Sequence, residues 1–222
     1  MNLVLIPAYN EAERIASVVL SVLPFADRVV VIDDASVDGT GEAASSAGAI
    51  VLTHAVNRGQ GAALETGHAY ARRLGANMVV HFDGDGQFDA VDIPKAIAFL
   101  QEKKADILFG TRYAAGREQK HIPWVKRRII HPLAALFHRL FFGFSFSDAH
   151  NGFRVLSKKA LQEISITQDR MAHATEIPAL AVSRGLFLVE YPVTVRYYEM
   201  GQKPSSSFGI VVDLFFGWLS KK

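Results

Sequence analysis

The chain is expected to fold as an α/β protein: a doubly wound, mostly parallel sheet with helices on both faces. Three observations predict it. Apolar runs of strand length recur through the first half, amphipathic stretches of helix length separate them, and no Pro/Gly/Ser-rich linker or internal repeat divides the 222 residues. A strand, a helix and a second strand in succession return in the same direction, which builds a parallel sheet with helices packed on it. A chain of this length buries most of its apolar surface in one core.

The elements follow in order. Leu3–Ile6 is the first apolar run, and Glu11–Leu23 after it places Ile15, Val18, Val19 and Val22 on one helical face. Val29–Ile32 is the second run, followed by a short helix rich in small residues over Gly39–Ala47. Ile50–Leu52, a helix over about 60–74, Met78–Phe82, a helix over about 91–102 and Ile107–Phe109 continue the alternation. Beyond residue 112 it stops. Trp124–Phe146 is a long aromatic and basic segment, Gly152–Leu156 reads as a strand, Thr175–Arg184 as a helix and Leu186–Tyr191 as a strand. Phe208–Leu219 closes the chain as an apolar helix, with Lys221 and Lys222 at the favourable end of its dipole.

Half of the residues are hydrophobic and no tract is of low complexity, which excludes a disordered chain. There is no cysteine, so disulfides and thiolate metal sites play no part, and a reducing compartment is permitted. Pro7, Asn10 and the charges up to Arg14 interrupt the N-terminal apolar run, which argues against a signal peptide. No uncharged apolar stretch reaches the ~18 residues that a membrane-spanning helix needs. The net charge of +2 is unevenly spread: residues 1–111 carry 8 Lys/Arg against 14 Asp/Glu, and residues 112–159 carry 10 against 2. An acidic half followed by a basic segment points to two binding tasks.

Phe82-Asp83-Gly84-Asp85-Gly86-Gln87 puts two carboxylates one residue apart where an apolar strand ends. Ligands of open α/β sheets bind at the carboxyl ends of the strands. Two acids aimed at one point repel each other unless a cation or a shared proton lies between them. A hard divalent ion that also holds a substrate's phosphates is the usual occupant. The same residues also fit a plain polar turn, since Asp-Gly is a turn signal.

Ile6-Pro7-Ala8-Tyr9-Asn10-Glu11 joins the first strand to the first helix, with Asn10 expected as N-cap and Glu11 and Glu13 in the first turn. It is neither a dinucleotide-binding fingerprint nor a P-loop. Asp33-Asp34-Ala35-Ser36-Val37-Asp38-Gly39-Thr40 repeats the arrangement at the second strand. A carboxylate there could accept hydrogen bonds from a base and a ribose, whereas Asp38 and Ser36 are expected to cap the next helix. Asn57-Arg58-Gly59-Gln60-Gly61-Ala62-Ala63 opens a third helix, where backbone amides and Arg58 could face an anion.

With Gly110-Thr111-Arg112 and Asp148-Ala149-His150-Asn151-Gly152-Phe153-Arg154 added, the motifs of residues 2–200 resemble, in order and spacing, the inverting GT-A-fold glycosyltransferases of family 2. Within these the chain is most similar to the polyprenyl-phosphate sugar transferases related to dolichyl-phosphate mannose synthase. The resemblance implies one GT-A domain over 1–222, with a nucleotide-sugar half over 1–111, an acceptor-side half over 112–205 and a C-terminal amphipathic helix over 206–222. It implies that Pro7, Tyr9, Glu11 and Asp34 hold the donor nucleoside, with Arg58 and Gln87 alongside. Asp83 and Asp85 would bind Mg2+ or Mn2+ and the donor's diphosphate. Asp85, Arg112 and Asp148 would form the catalytic set, Arg112 stabilising phosphate charge and Asp148 and Gly152-Phe153-Arg154 forming the floor of the acceptor side. Arg127 and Arg128 would meet the phosphate of the lipid.

The implied reaction is transfer of a hexose or N-acetylhexosamine from a nucleotide-diphosphate sugar to a polyprenyl phosphate, with inversion. A phosphate monoester is already largely ionised near neutral pH, its second pKa being about 6, so it needs no strong base. An acceptor hydroxyl on a soluble or lipid-linked glycan is the alternative, and it would need Asp148 or Glu176 as base. A silent nucleotide-binding subunit is a second alternative. One departure stands out: the related synthases carry an Arg six residues after the Pro of a late E-x-P-[IV] segment, and here that place holds Tyr198. Arg196 or Lys203 could supply the charge.

The segment 124–146, with Lys126, Arg127, Arg128 and Arg139 among bulky apolar residues, suits a membrane surface or packs on the sheet. Peripheral binding to the cytoplasmic face of the membrane and a small integral-membrane subunit are expected. No nucleic-acid partner is expected, because no recognised binding motif accompanies the basic segment.

Overall fold

Strands buried on both faces read as continuous apolar runs rather than alternating ones, and the central strands here are of that kind. The computed structural model describes residues 1–112, 147–148 and 151–196. The elements are β1 (Asn2–Ala8), α1 (Ala12–Val22), β2 (Arg28–Asp33), α2 (Thr40–Ser46), β3 (Ile50–Thr53), α3 (Gln60–Arg73), β4 (Met78–His81), α4 (Asp92–Lys103) and β5 (Ile107–Thr111). After these come β6 (Arg154–Ser157), α5 (Lys158–Glu163), α6 (His173–Ser183) and β7 (Leu188–Pro192). The segment 124–146 with Arg127 and Arg128, Tyr198, Lys203 and the expected helix Phe208–Leu219 lie outside the described residues.

The strands form one seven-stranded sheet in the order β3-β2-β1-β4-β6-β5-β7. All pairs are parallel except those of β6, which runs antiparallel to both β4 and β5. Successive side chains sort to opposite faces. Val4, Ile6, Val29, Val31, Val80, Leu108 and Val155 face one core, closed by α1, α2 and α4. Leu3, Leu5, Val30, Ile32, Val79, Phe109 and Leu156 face the other, closed by α3, α5 and α6. The doubly wound α/β arrangement is therefore as expected.

Local chemistry corrects several details. Asn10 does not cap α1: it sits at φ 55°, and Glu11 occupies the cap position without a side-chain cap bond. The free amide of Ala12 is instead satisfied by Asp38 Oδ2 at 3.0 Å, from the loop after β2. Asp38 Oδ1 accepts from the Thr40 amide at 3.0 Å, so one carboxylate closes the N-termini of α1 and α2 together. Helix α5 was not expected from sequence; its cap is Ser157, whose Oγ accepts from the Ala160 amide at 3.2 Å.

Candidate functional site

The carboxyl ends of β1, β2 and β4 lie side by side, so the loops that leave them share one edge. The first two are laced together. Asn10 N donates to Ser36 Oγ at 2.9 Å, Val37 N to Asn10 Oδ1 at 3.0 Å, and Glu11 N to Thr40 Oγ1 at 2.8 Å. Tyr9 stands half exposed where β1 ends, and Pro7 lies within the strand, opposite Ile32. Glu11 pairs with Arg14 on the helix surface at 3.2 Å.

Asp34 is buried, and its two oxygens gather the loop after β3. They accept from the amides of Arg58 and Gly59 and from the His54 ring, whose Nδ1 lies 2.7 Å away. Burial pushes the carboxyl up, but these hydrogen bonds outweigh it and hold it below the usual carboxylate range. The amides that could have faced an external anion thus face Asp34. The Ala62 amide is likewise given to the Asp169 carbonyl at 3.0 Å, and the Arg58 guanidinium to the Asp169 carboxylate at 3.0 Å. Gly61 permits this seat, since a Cβ there would overlap the Gln168 carbonyl.

Asp83 and Asp85 follow β4, with Gln87 on the same loop. Asp83 Oδ1 accepts from Gln60 Nε2 at 2.9 Å, and Asp85 Oδ1 from the Gln87 amide at 2.9 Å. Each keeps its Oδ2 free of hydrogen bonds from the described residues. Burial pushes the Asp83 carboxyl up to about 6; the Asp85 charge adds to this, and Arg154 and Gln60 oppose it. Two hard oxygen donors next to each other fit Mg2+ or Mn2+. Among the described residues no group of three or more His, Asp or Glu could hold a metal. The two aspartates thus leave most of an ion's coordination positions open to other ligands, such as water or a bound phosphate.

Arg112 and Asp148, expected on the acceptor side, also meet. Arg112 binds Asp148 through Nε at 2.7 Å and Nη2 at 2.8 Å, and its amide adds a third bond at 3.0 Å. Asn151 Nδ2 adds a fourth to the same carboxylate at 3.2 Å. Glu176, the other carboxylate considered as a base, accepts from Thr167 N, Thr167 Oγ1 and Gln168 N. It serves as a clasp for that loop.

Behind Asp83 lies a buried polar layer that the sequence did not reveal. His68 and His81 touch through their Nε2 atoms at 2.7 Å, and His173 and Arg154 are buried with them. Burial holds His68 down to about 3 and His173 to about 4, and His81 well below its usual range; the Arg154 charge reinforces all three. Arg154 itself, lowered by burial to about 10 and supported by Asp83 and Asp148, stays charged at neutral pH. His54, His68, His81 and His173 are the residues here that spacing missed, and none had a local signal. Gln60, Asn151 and Arg154 stand in motifs read from the sequence, but without the contacts found here.

The chain leaving β7 is tied to the loop that carries Asp85 and Gln87. Arg196 N donates to the Gln87 carbonyl at 2.8 Å, Thr194 N to Asp92 Oδ2 at 2.7 Å, and Arg196 Nη2 to Asp89 Oδ2 at 2.6 Å. Arg196, considered above as a substitute phosphate ligand, thus pairs with Asp89.

Comparison with known proteins agrees with this geometry. The family model described as Glycosyl transferase family 2 matches residues 3–165. The chain is 28% identical over 225 residues to the polyprenol monophosphomannose synthase of Mycolicibacterium smegmatis, covering 96% of this chain and 84% of that one. It is also 28% identical over 239 residues to the UDP-N-acetylglucosamine--dolichyl-phosphate N-acetylglucosaminyltransferase of Methanococcus voltae, covering 98% and 94%. Among solved structures, the glucosyl-3-phosphoglycerate synthase of Mycobacterium tuberculosis superposes with a TM-score of 0.74 at 21% identity, covering 99% of this chain and 80% of that one. Its crystals with Mn2+ and UDP, and with Mg2+ and UDP, superpose equally well, at 0.73 and 0.74. The fold is GT-A.

Proposed function

The chain belongs to glycosyl transferase family 2, and on that premise we propose that it moves a hexose or N-acetylhexosamine from a nucleotide-diphosphate sugar to a polyprenyl phosphate. The transfer would invert the anomeric centre and use Mg2+ or Mn2+ at Asp83 and Asp85. One observation favours a phosphate acceptor over a hydroxyl. Both carboxylates that could deprotonate a hydroxyl are already engaged, Asp148 by Arg112 and Asn151, and Glu176 by Thr167 and Gln168. A base needs a free lone pair within reach of the proton, whereas a phosphate monoester arrives already ionised.

In this reading an acceptor phosphate oxygen attacks the anomeric carbon as the bond to the donor diphosphate breaks. A divalent ion, when bound, neutralises the charge that grows on the leaving diphosphate. The chain's own residues supply the frame. Asp34 and His54 fix the 57–59 loop beside the nucleoside, Pro7, Tyr9 and Glu11 border it, and Gln60 orients Asp83. Arg112, held by Asp148, presents positive charge on the acceptor side. Arg127 and Arg128 remain proposed ligands of the lipid phosphate on sequence grounds. We assign the whole chain to one domain at the inner face of the membrane, assisted by a small integral-membrane subunit. Among the described residues no helix is long and apolar enough to cross a membrane.

The test offers a panel of radiolabelled nucleotide sugars to the purified chain with undecaprenyl phosphate, with and without EDTA. EDTA-sensitive label in the organic phase is expected. Label found only on soluble or lipid-linked glycans would overturn the acceptor assignment.

A further inference from the structure

The bulkiest fully buried side chain among the described residues is a charged one. Arg154 is 1% exposed; its Nε has no hydrogen-bond partner, and Nη1 reaches only the Gly152 carbonyl at 3.5 Å. It stands on β6 opposite His81 of β4 and Phe109 of β5, its guanidinium carbon 6.0 Å from the Phe109 ring centre. Burying an incompletely paired ion is costly, and an apolar residue would serve stability better. The groups in its field are the three neutral imidazoles of His68, His81 and His173 and the carboxylates of Asp83 and Asp148. Asp148 already has Arg112 as its cation. Asp83 has no other. Its carboxylate lies against Gly152, whose carbonyl is the one Arg154 touches.

We propose that Arg154 is a positioning residue that sets the net charge of the Asp83/Asp85 pair, so that a divalent cation is held only together with the donor's diphosphate. Two carboxylates alone would offer a divalent ion two negative charges in a partly buried site, where charges interact strongly. Arg154 cancels one of them. The diphosphate restores the missing negative charge and supplies oxygens beyond the two carboxylates of the described residues. The ion then arrives with the donor and departs with the nucleotide, which keeps product release from being trapped by a tightly held metal. This rests on the metal–diphosphate reading of Asp83 and Asp85.

The test is Mn2+ titration of the full chain, followed by electron paramagnetic resonance and corrected for Mn2+ that the nucleotide itself binds. Wild type, Arg154→Lys and Arg154→Gln are each measured alone and with UDP or GDP, with thermal unfolding alongside. Wild type is expected to gain at least about tenfold in Mn2+ affinity with one of the nucleotides. Arg154→Gln should bind Mn2+ without nucleotide at least about tenfold more tightly than wild type, and Arg154→Lys should stay within about threefold of it. A purely structural Arg154 predicts weaker binding in Arg154→Gln, and that result, or unchanged binding, overturns the proposal. So does wild-type Mn2+ affinity that is equal with and without nucleotide, an arm that stands even if Arg154→Gln does not fold. No Mn2+ binding under any condition would instead overturn the metal reading of the aspartates, and this proposal with it.

Discussion

The carboxylate of Asp83 rests against the Cα of Gly152, in space that any side chain at 152 would fill. Asp83 and the segment that leads into β6 are therefore fitted to each other at one hydrogen atom. Replacing Gly152 by Ala should push Asp83 off its position while leaving both cores intact. A displacement near 1 Å at reacting groups costs about a hundredfold in rate, so turnover should fall by about that factor. Initial rates, set beside an unchanged circular dichroism spectrum, check this.

Asp83 also carries a stability cost. Its folded pKa of about 6 lies above the ordinary carboxyl value of 3.8, so between these pH values the folded chain holds more protons than the unfolded one. Stability from this group falls as pH rises through that window, and the full penalty is present above it. Asp83→Asn should therefore raise the melting temperature of the metal-free protein at pH 7.5, by about 2–6 °C, while abolishing metal-dependent transfer. Calorimetry with EDTA present, followed by the transfer assay, would show both.

The buried imidazoles act in the opposite sense. Their folded pKa values lie below 6.5, so the unfolded state binds the extra protons and stability is lost as pH falls below about 6.5. Three such groups outweigh the single opposing contribution of Asp83, and net stability should decline between pH 6.5 and 5. Urea midpoints across that range should fall. They should fall less steeply in His173→Gln.

Glu176 separates the two acceptor chemistries. If it only clasps Thr167 and Gln168, Glu176→Gln should cost roughly 1–2 kcal/mol of stability and leave the pH dependence of kcat unchanged. Loss of turnover in a protein that remains folded would make Glu176 a base and the acceptor a hydroxyl.

The parallel half of the sheet was legible in sequence because strands such as Val29–Ile32, buried on both faces, are continuous apolar runs. The acid pair was legible because the end of such a strand fixes where its loop must lie. The direction of β6 was not, since nothing in Arg154–Ser157 records which way the chain returns after residues 113–150. Arg154 entered by resemblance as part of the acceptor-side floor, and nothing local signals its burial in the middle of the sheet, opposite His81. Asp38 shows why caps were misread. Spacing ranks local candidates such as Asn10, whereas the atom that closes α1 comes from 26 residues away.

The bonds from Thr194 and Arg196 to the 87–92 loop bear on where the working unit ends. The family match stops at residue 165, yet a version of the chain trimmed to that limit, or even to the end of β7, would leave the Gln87 carbonyl and Asp92 without these partners. The smallest fragment able to hold Asp85 and Gln87 as they stand here extends at least to Arg196.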